Sequence, residues 1–135
     1  MTPATLDKVI ELFEASPYHA NWSEQDVNEL ICTPISLSQY VMGVNDDETL
    51  FFFATFAFPE EHHIQDYCTS GRFPTEGFYS QGKDIWIIDF VCMGGRRDIT
   101  AAFRNLKNLL SCWGYDRCFW LRTTKMKLGF HILKE

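Results

Sequence analysis

Hydrophobic positions in the first third of the chain recur with the period of amphipathic helices. Apolar residues at helical spacing between positions 6 and 13 follow a Thr-Pro pair and predict a helix from Pro3 to about Ala15. A second helix is predicted after Ser23, with Asp26 at the capping-box position. We expect Thr33-Pro34 to end this second helix, because the residue before a proline is disfavoured in helical conformation.

The pattern then changes from helical to extended. Two apolar runs, 39–44 and 49–57, flank the polar segment 45–48, so the sequence predicts a β-hairpin. A third helix is predicted from Glu60, just after a proline, to Ser70-Gly71. Residues 71–82 carry proline and glycine at several positions and are interpreted as a loop.

The most informative stretch covers residues 84–98. Its first part, 84–92, is rich in β-branched and aromatic residues and predicts a buried strand, yet Asp89 interrupts it. A buried carboxylate is unfavourable unless it is paired or hydrogen-bonded, so Asp89 is either a structural hydrogen-bond acceptor or a functional residue. The strand ends at Gly94-Gly95, and Arg96-Arg97 precede a helix predicted from Asp98. Such a turn suits an anionic ligand, and a solvated helix entry is the alternative.

The rest of the pattern predicts one long helix and two strands. Apolar residues from Ile99 to Trp113 have helical spacing, and Gly114 is placed to end that helix. Apolar runs at 117–122 and 127–133 predict strands. This order of elements predicts a mixed α/β fold with a central sheet, and a length of 135 residues suits one domain, 1–135.

Charge is unevenly distributed along the chain. The formal net charge of −6 argues against non-specific nucleic-acid binding, which needs a basic surface. Nine of the twelve lysines and arginines follow residue 85, which predicts a locally positive face for an acidic ligand or carrier, or simply a solvated surface. We expect no signal peptide, because the N-terminus has neither a basic n-region nor an apolar h-region, and no membrane span, because no apolar run approaches the required length.

Five cysteines form neither a CxxC pair nor a Cys/His spacing typical of a metal site. Each lies in an apolar context, so we interpret them as reduced core thiols of a cytosolic protein. They are Cys32, Cys68, Cys92, Cys112 and Cys118.

His19 is the strongest candidate for chemistry. It lies in the connector between the first two helices, where an imidazole can accept a proton or become acylated, although a loop histidine bonded to backbone is a simpler explanation. His62 and His63 are expected on the surface of a polar helix, and His131 is expected to pack in the last strand. Arg122 lies among apolar strand residues, where a cation usually serves a carboxylate or a ligand. Zinc binding by these histidines is weakly supported, and no metal site is predicted.

Several blocks of the sequence, taken together, resemble the RTX toxin-activating lysine acyltransferases, the hemolysin-activating family. Their spacing follows that family from roughly residue 12 to residue 130. The blocks are Ser16-Pro17-Tyr18-His19-Ala20-Asn21-Trp22, Pro34-Ile35, Gln39-Tyr40, Phe56-Ala57, Trp86-Ile87-Ile88-Asp89-Phe90 and Gly94-Gly95.

The resemblance implies a GCN5-related acyltransferase fold, a central mixed and mostly antiparallel sheet flanked by helices, in a cytoplasmic enzyme. It implies transfer of an acyl group from acyl carrier protein, or acyl-CoA, to a lysine ε-amino group of a partner protein. The acyl donor is a substrate, and no permanently bound cofactor is expected. A homodimer is possible.

The resemblance also implies roles for particular residues. The catalytic pair falls on His19 and Asp89: the imidazole acts as a base or an acyl acceptor, and the carboxylate orients it. An apolar groove for an acyl chain is expected to be lined by some of Phe51, Phe53, Phe56 and Phe90, although core packing explains these aromatic residues as well. The residues expected to bind the donor or another substrate are Ser16, Phe90, Val91, Cys92, Gly94, Gly95, Arg96, Arg97 and Arg122.

Two departures from the family leave the acyl donor and the acceptor protein open. A small relative that acts on a different protein, with acetyl or another short acyl group, fits the sequence equally well. The family often has Ala-Pro-Phe-Gly after the central strand, where this chain has Val91-Cys92-Met93-Gly94, and its members are longer. The alternatives are a non-catalytic binding or inhibitory protein on the same fold and an acetyl-CoA-dependent small-amine acetyltransferase. A pure binder has no evident use for both His19 and Asp89, which favours an enzyme.

Overall fold

Five strands form one sheet in sequence order in the computed structural model, which describes residues 1–16, 19, 21–122 and 127–132. Neighbouring strands run antiparallel except β3 and β4, which run parallel. The strands are β1 (Tyr40–Val44), β2 (Leu50–Ala57), β3 (Ile85–Cys92), β4 (Arg117–Arg122) and β5 (Lys127–Ile132). This mixed, mostly antiparallel sheet confirms the predicted fold class and is compatible with the GCN5-related fold.

Helices cover both faces of the sheet. One continuous helical segment changes pitch twice, from α2 through a π-helix to α3. The helices are α1 (Pro3–Glu14), α2 (Glu24–Val27), the π-helix Asn28–Cys32, α3 (Thr33–Ser36), α4 (Glu61–Ser70), the 3₁₀-helix Thr75–Tyr79 and α5 (Arg96–Ser111).

The core is divided by the sheet. On one face, Ala102, Leu106 and Leu110 of α5 pack against β2, β3 and β4. On the other face, α1, the π-helix and α4 contribute buried residues such as Phe13 and Tyr67. Each large apolar side chain buried in this way contributes about 1.5–3 kcal/mol, so both faces stabilise the sheet.

Helix boundaries follow the predicted signals at several ends. Ser23 and Asp26 form the expected capping box, with each side chain accepting a hydrogen bond from the other residue's backbone N–H. Gly71 ends α4 in the left-handed region, at φ 76°. At the start of α5, Gly95 is the N-cap and Asp98 lies one turn inside, so the prediction of a start at Asp98 is wrong by two residues.

Pro34 does not end the second helix, which contradicts the sequence prediction. The helix continues through it to Ser36, and Pro34 lies in the first turn of α3. The preceding π-helix explains this: the backbone N–H of Thr33 donates to the carbonyl of Asn28, five residues back. The wider turn shifts the hydrogen-bond pattern just before the residue that lacks an N–H.

Two further differences concern the segment 71–82 and the cysteines. The predicted loop contains the 3₁₀-helix Thr75–Tyr79. All five cysteines are free, but Cys68 and Cys112 are exposed, so their predicted core position is wrong. Within the described part of the chain, no helix combines the length and the apolar character needed to cross a bilayer.

Candidate active site

His19 and Asp89, seventy positions apart in the chain, are in direct contact. Nε2 of His19 lies 3.1 Å from Oδ1 of Asp89, and the two side chains are only 9% and 14% exposed. On its other side, Nδ1 of His19 lies 2.8 Å from Oγ of Ser16. The imidazole is therefore held between a carboxylate and a hydroxyl.

The connector after α1 fixes the histidine through local backbone bonds and two aromatic rings. The His19 N–H donates to the carbonyl of Ser16, and the Trp22 N–H donates to the carbonyl of His19. Phe13 and Trp22 meet the imidazole edge to face, with ring centroids 4.8 and 4.6 Å away. Such contacts restrict the ring to one orientation.

A β-bulge in β3 turns Asp89 toward the histidine. Thr55 of β2 pairs with Asp89 but Phe56 pairs with Ile87, so the register passes over Ile88. Side chains alternate along a strand, and Asp89 would otherwise share the α5 face with Ile85 and Ile87. Past the bulge, Val91 packs on the opposite face with α1, and Asp89 lies on that same face beside His19.

Burial raises the pKa of the Asp89 carboxyl above its ordinary value, and the hydrogen bond and charge of His19 act in the opposite direction. The magnitudes explain the net direction. A hydrogen bond to a charged group contributes about 1.5–3 kcal/mol, whereas desolvating a carboxylate costs several kcal/mol. Desolvation therefore dominates, and the histidine partner offsets only part of its effect on the pKa of Asp89.

The two contacts of the ring also assign its tautomer. An ionised Asp89 accepts a proton from Nε2–H, which leaves the lone pair on Nδ1. The Ser16 hydroxyl then donates to Nδ1. In this arrangement Nδ1 is the basic nitrogen, and the carboxylate stabilises the imidazolium that forms when Nδ1 takes a proton.

A cavity of about 310 Å³ opens beside this pair. The polar side chains of its lining belong to Ser16, His19, Arg72 and Asp89. Arg72 forms ion pairs with Asp26 (2.6 Å) and Glu29, which link the segment after α4 to the α2–π-helix segment. The apolar part of the lining comprises Trp22, Leu30, Tyr67, Phe73, Ile87, Ile88, Phe90 and Leu121, and Gly71 completes it.

The sheet itself divides at the cavity. Among the described residues, the pairing of β3 with β4 covers only Ile85–Ile87 opposite Cys118–Trp120. Beyond Ile87, β3 continues alongside β2, while Leu121 of β4 pairs with β5 and lines the cavity. The two parallel strands therefore part where Asp89 begins to face the cavity.

The other residues predicted to bind a substrate lie at different distances from this pair. Phe90 lines the cavity, Val91 is buried in the core, and the Cys92 thiol donates to the carbonyl of Met93. The side chain of Arg122 lies outside the described residues, although the residue itself ends β4 beside Leu121.

The glycine turn and the two arginines lie at the start of α5. Gly94, Gly95, Arg96 and Arg97 are exposed and do not belong to the described lining of the cavity. The Asp98 carboxylate accepts the N–H of Gly95, so one donor of this turn already has an anionic partner.

Of the four phenylalanines considered for an acyl groove, three follow the alternative of core packing. Phe53 and Phe56 are buried in the core on opposite faces of the sheet, and Phe51 packs against the α5 face. Only Phe90 of that set lines the cavity. The sheet faces both carry packed aromatics, which a sequence pattern cannot distinguish from ligand-lining ones.

Sequence reasoning missed several residues of the site. Leu30, Tyr67, Phe73 and Leu121 line the cavity but have the pattern of ordinary core positions in the sequence. Thr55 accepts a hydrogen bond from the backbone N–H of Asp89 at 3.2 Å. The sequence could have indicated this residue, because it carries a hydroxyl within the otherwise apolar strand 50–57.

A second group of possible ligands, Glu60, His62 and His63, brings its ligand atoms within 4.8 Å of one another at the start of α4. Contrary to the surface prediction, His63 is buried, and its Nδ1 accepts the backbone N–H of Glu60. This bond caps α4 and occupies that nitrogen, so we assign the cluster to helix capping.

Comparison with protein-family models matches residues 2–114 to the RTX toxin acyltransferase family. No curated protein matches the chain in sequence.

Proposed function

The chain belongs to the RTX toxin acyltransferase family and is an acyltransferase of the toxin-activating class; from this we propose that it transfers an acyl group from a thioester donor to a lysine ε-amino group of a protein. The observation that supports the proposal most is the contact between His19 and Asp89 at the edge of a cavity. We further propose that the donor is acyl carrier protein and that the reaction takes place in the cytoplasm.

His19 acts as the general base in this proposal. A lysine ammonium has a reference pKa of about 10.4, so its amine must lose a proton before or during attack on the thioester carbonyl. Nδ1 of His19 takes that proton, either in place of its bond to Ser16 or through the Ser16 hydroxyl. Asp89 holds Nε2–H and stabilises the imidazolium; the leaving thiolate then receives the proton.

The parting of β3 and β4 supplies a place for the donor. A phosphopantetheine arm has the length and polarity to lie along an open strand edge, and β3 beyond Ile87 presents such an edge to the cavity. Backbone N–H groups between Phe90 and Cys92 are suited to stabilise the developing oxyanion. Gly94, Gly95, Arg96 and Arg97 would bind the donor's phosphate from the start of α5.

The apolar part of the cavity accounts for the acyl chain. Leu30, Tyr67, Phe73 and Leu121 line the cavity and belong to one buried apolar cluster. Transfer of an apolar acyl chain from water to such a surface is favourable. Their arrangement supports acyl chains longer than acetyl.

The test measures the mass of candidate acceptors after incubation with the enzyme and a donor. Acyl-carrier-protein thioesters and acyl-CoA are compared in parallel, each with a lysine-containing protoxin and with small amines. Acylation of the protein lysine and not of small amines is expected. Acylation of small amines alone supports the small-molecule acetyltransferase, and no product with any donor contradicts the proposal.

A further inference from the structure

Thr55 occupies an unusual position for a polar residue. It is fully buried in β2, and of the described residues only Thr55 and His63 are polar and buried. Its neighbours in the strand, Ala54 and Phe56, are apolar. Burying a hydroxyl is unfavourable unless it forms a hydrogen bond, so the hydrogen-bond partner of Thr55 indicates the role of this residue.

That partner is the backbone of Asp89. The Asp89 N–H donates to Oγ1 of Thr55 at 3.2 Å. This bond lies at the bulge, where two residues of β3, Ile88 and Asp89, stand opposite Thr55. A bulge interrupts the ladder of backbone hydrogen bonds between the two strands. At this bulge, the hydroxyl of Thr55 is the acceptor for the backbone N–H of Asp89.

We propose that Thr55 is a positioning residue for acyl transfer, which holds the β3 bulge so that the Asp89 carboxylate reaches His19. This inference rests on the proposed function for its kinetic consequence. Without the bulge, the alternation of β3 would place Asp89 on the α5 face, together with Ile85 and Ile87. In this role Thr55 acts through the backbone of Asp89.

The test compares Thr55→Val, which keeps the shape and removes the hydroxyl, with Thr55→Ser, which keeps the hydroxyl. Val41→Ala, a buried change in β1, is the control for destabilisation alone. We expect Thr55→Val to lower kcat about 10- to 100-fold, because the carboxylate of Asp89 no longer orients His19. Thr55→Ser is expected to restore most of kcat, and Val41→Ala to leave it near the wild-type value.

A second readout does not depend on turnover. Nitrogen-15 NMR of histidine-labelled protein measures the tautomer of each of the four histidines, and His19→Gln assigns the His19 signals. Wild type and Thr55→Ser are expected to show His19 with the proton fixed on Nε2, whereas Thr55→Val shows a mixture of tautomers. Should Thr55→Val not fold, Thr55→Ala takes its place.

The two readouts separate failure of this inference from failure of the proposed function. Wild-type ring signals together with wild-type kcat in Thr55→Val would overturn the role of Thr55. Absence of transfer by the wild-type protein with every donor contradicts the proposed function, and the NMR comparison still decides whether Thr55 positions the pair.

Discussion

At the scale of single residues, the imidazole of His19 is defined by what each of its nitrogens contacts. Nε2 contacts the carboxylate of Asp89, whose pKa is raised by burial. Nδ1 contacts the hydroxyl of Ser16 beside the cavity. The carboxylate accepts a hydrogen bond from Nε2–H and stabilises the imidazolium, which explains its position beside His19. The pair thus has the parts of a general base with its orienting acid.

Replacing His19 by glutamine should lower acyl transfer by at least about 100-fold, because an amide cannot take up the amine proton at neutral pH. Transfer is measured by the mass of the acceptor protein, and folding by thermal melting. His62→Gln is the matched control, since His62 is 66% exposed on α4. Near-normal transfer by the His19 variant would show that another group acts as the base.

Asp89→Asn should abolish most of the transfer yet raise the melting temperature by a few degrees at neutral pH. Burial raises the pKa of Asp89 in the folded state, so the folded protein holds this proton more tightly than the unfolded chain does. Ionisation at neutral pH therefore opposes folding, and this cost falls as the pH approaches the ordinary carboxyl pKa of about 3.9.

The measurement is thermal melting of wild type and Asp89→Asn at neutral pH and at about pH 4. The difference between the two proteins is expected to shrink at the lower pH. A lower melting temperature for Asp89→Asn at neutral pH would mean that the bond to His19 outweighs desolvation, so that the pKa of Asp89 is lowered in the folded protein.

The sequence predicted these two residues but not how they meet. A single carboxylate in an apolar strand and a histidine in a helix connector, with the family resemblance, were enough to select His19 and Asp89. Strict alternation along β3 would have placed Asp89 against α5, and the bulge at Ile88 reverses that. A one-residue register shift depends on contacts between strands, so a single sequence does not reveal it.

At the scale of elements, the site depends on where regular structure is interrupted. The bulge orients Asp89, the parting of β3 and β4 opens the cavity, and the π-helix brings Leu30 to its lining. Helix starts and ends were predicted where a side chain or a glycine marks them, as at Ser23 and Gly71. The π-helix was not predicted, because no residue in the sequence marks it and because Pro34 was expected to end the helix.

The turn between β3 and α5 allows a matched pair of glycine substitutions. Gly94 has φ 98° and a Cβ there would meet the Asp98 carboxylate, whereas Gly95 has φ −92° and open space around it. Gly94→Ala should lower the free energy of unfolding by about 1–2 kcal/mol, and Gly95→Ala, at the N-cap, by about 0.5 kcal/mol. Chemical denaturation measures both, and equal losses would contradict the structure of this turn.

At the scale of the whole molecule, charge is separated along the chain. Acidic residues dominate before residue 85 and basic ones after it, although the net charge is −6. The basic portion includes the start of α5, which follows the strand that carries Asp89. This separation of charge supports the proposal of an acidic carrier as donor, since complementary charge increases the rate of encounter.

The double variant Arg96→Gln and Arg97→Gln should raise KM for the acyl-carrier donor about 3- to 10-fold and leave kcat unchanged. Both side chains are exposed, so they affect the association of the enzyme with its donor and not the chemical step. Added salt should raise KM for the wild-type enzyme in the same direction. Arg104→Gln, farther along α5, is the control. An equal effect from Arg104 would assign the charge dependence to the surface as a whole.

The most direct measurement is a crystal structure of the enzyme with a non-hydrolysable analogue of the acyl thioester. We expect the analogue's carbonyl carbon to lie beside Nδ1 of His19 with its oxygen toward the backbone N–H groups between Phe90 and Cys92. Its arm is expected to follow β3 beyond Ile87, and its chain to contact Leu30 and Leu121. An analogue bound on another face of the sheet, with the cavity beside His19 empty, would contradict the proposed catalytic role of this pair.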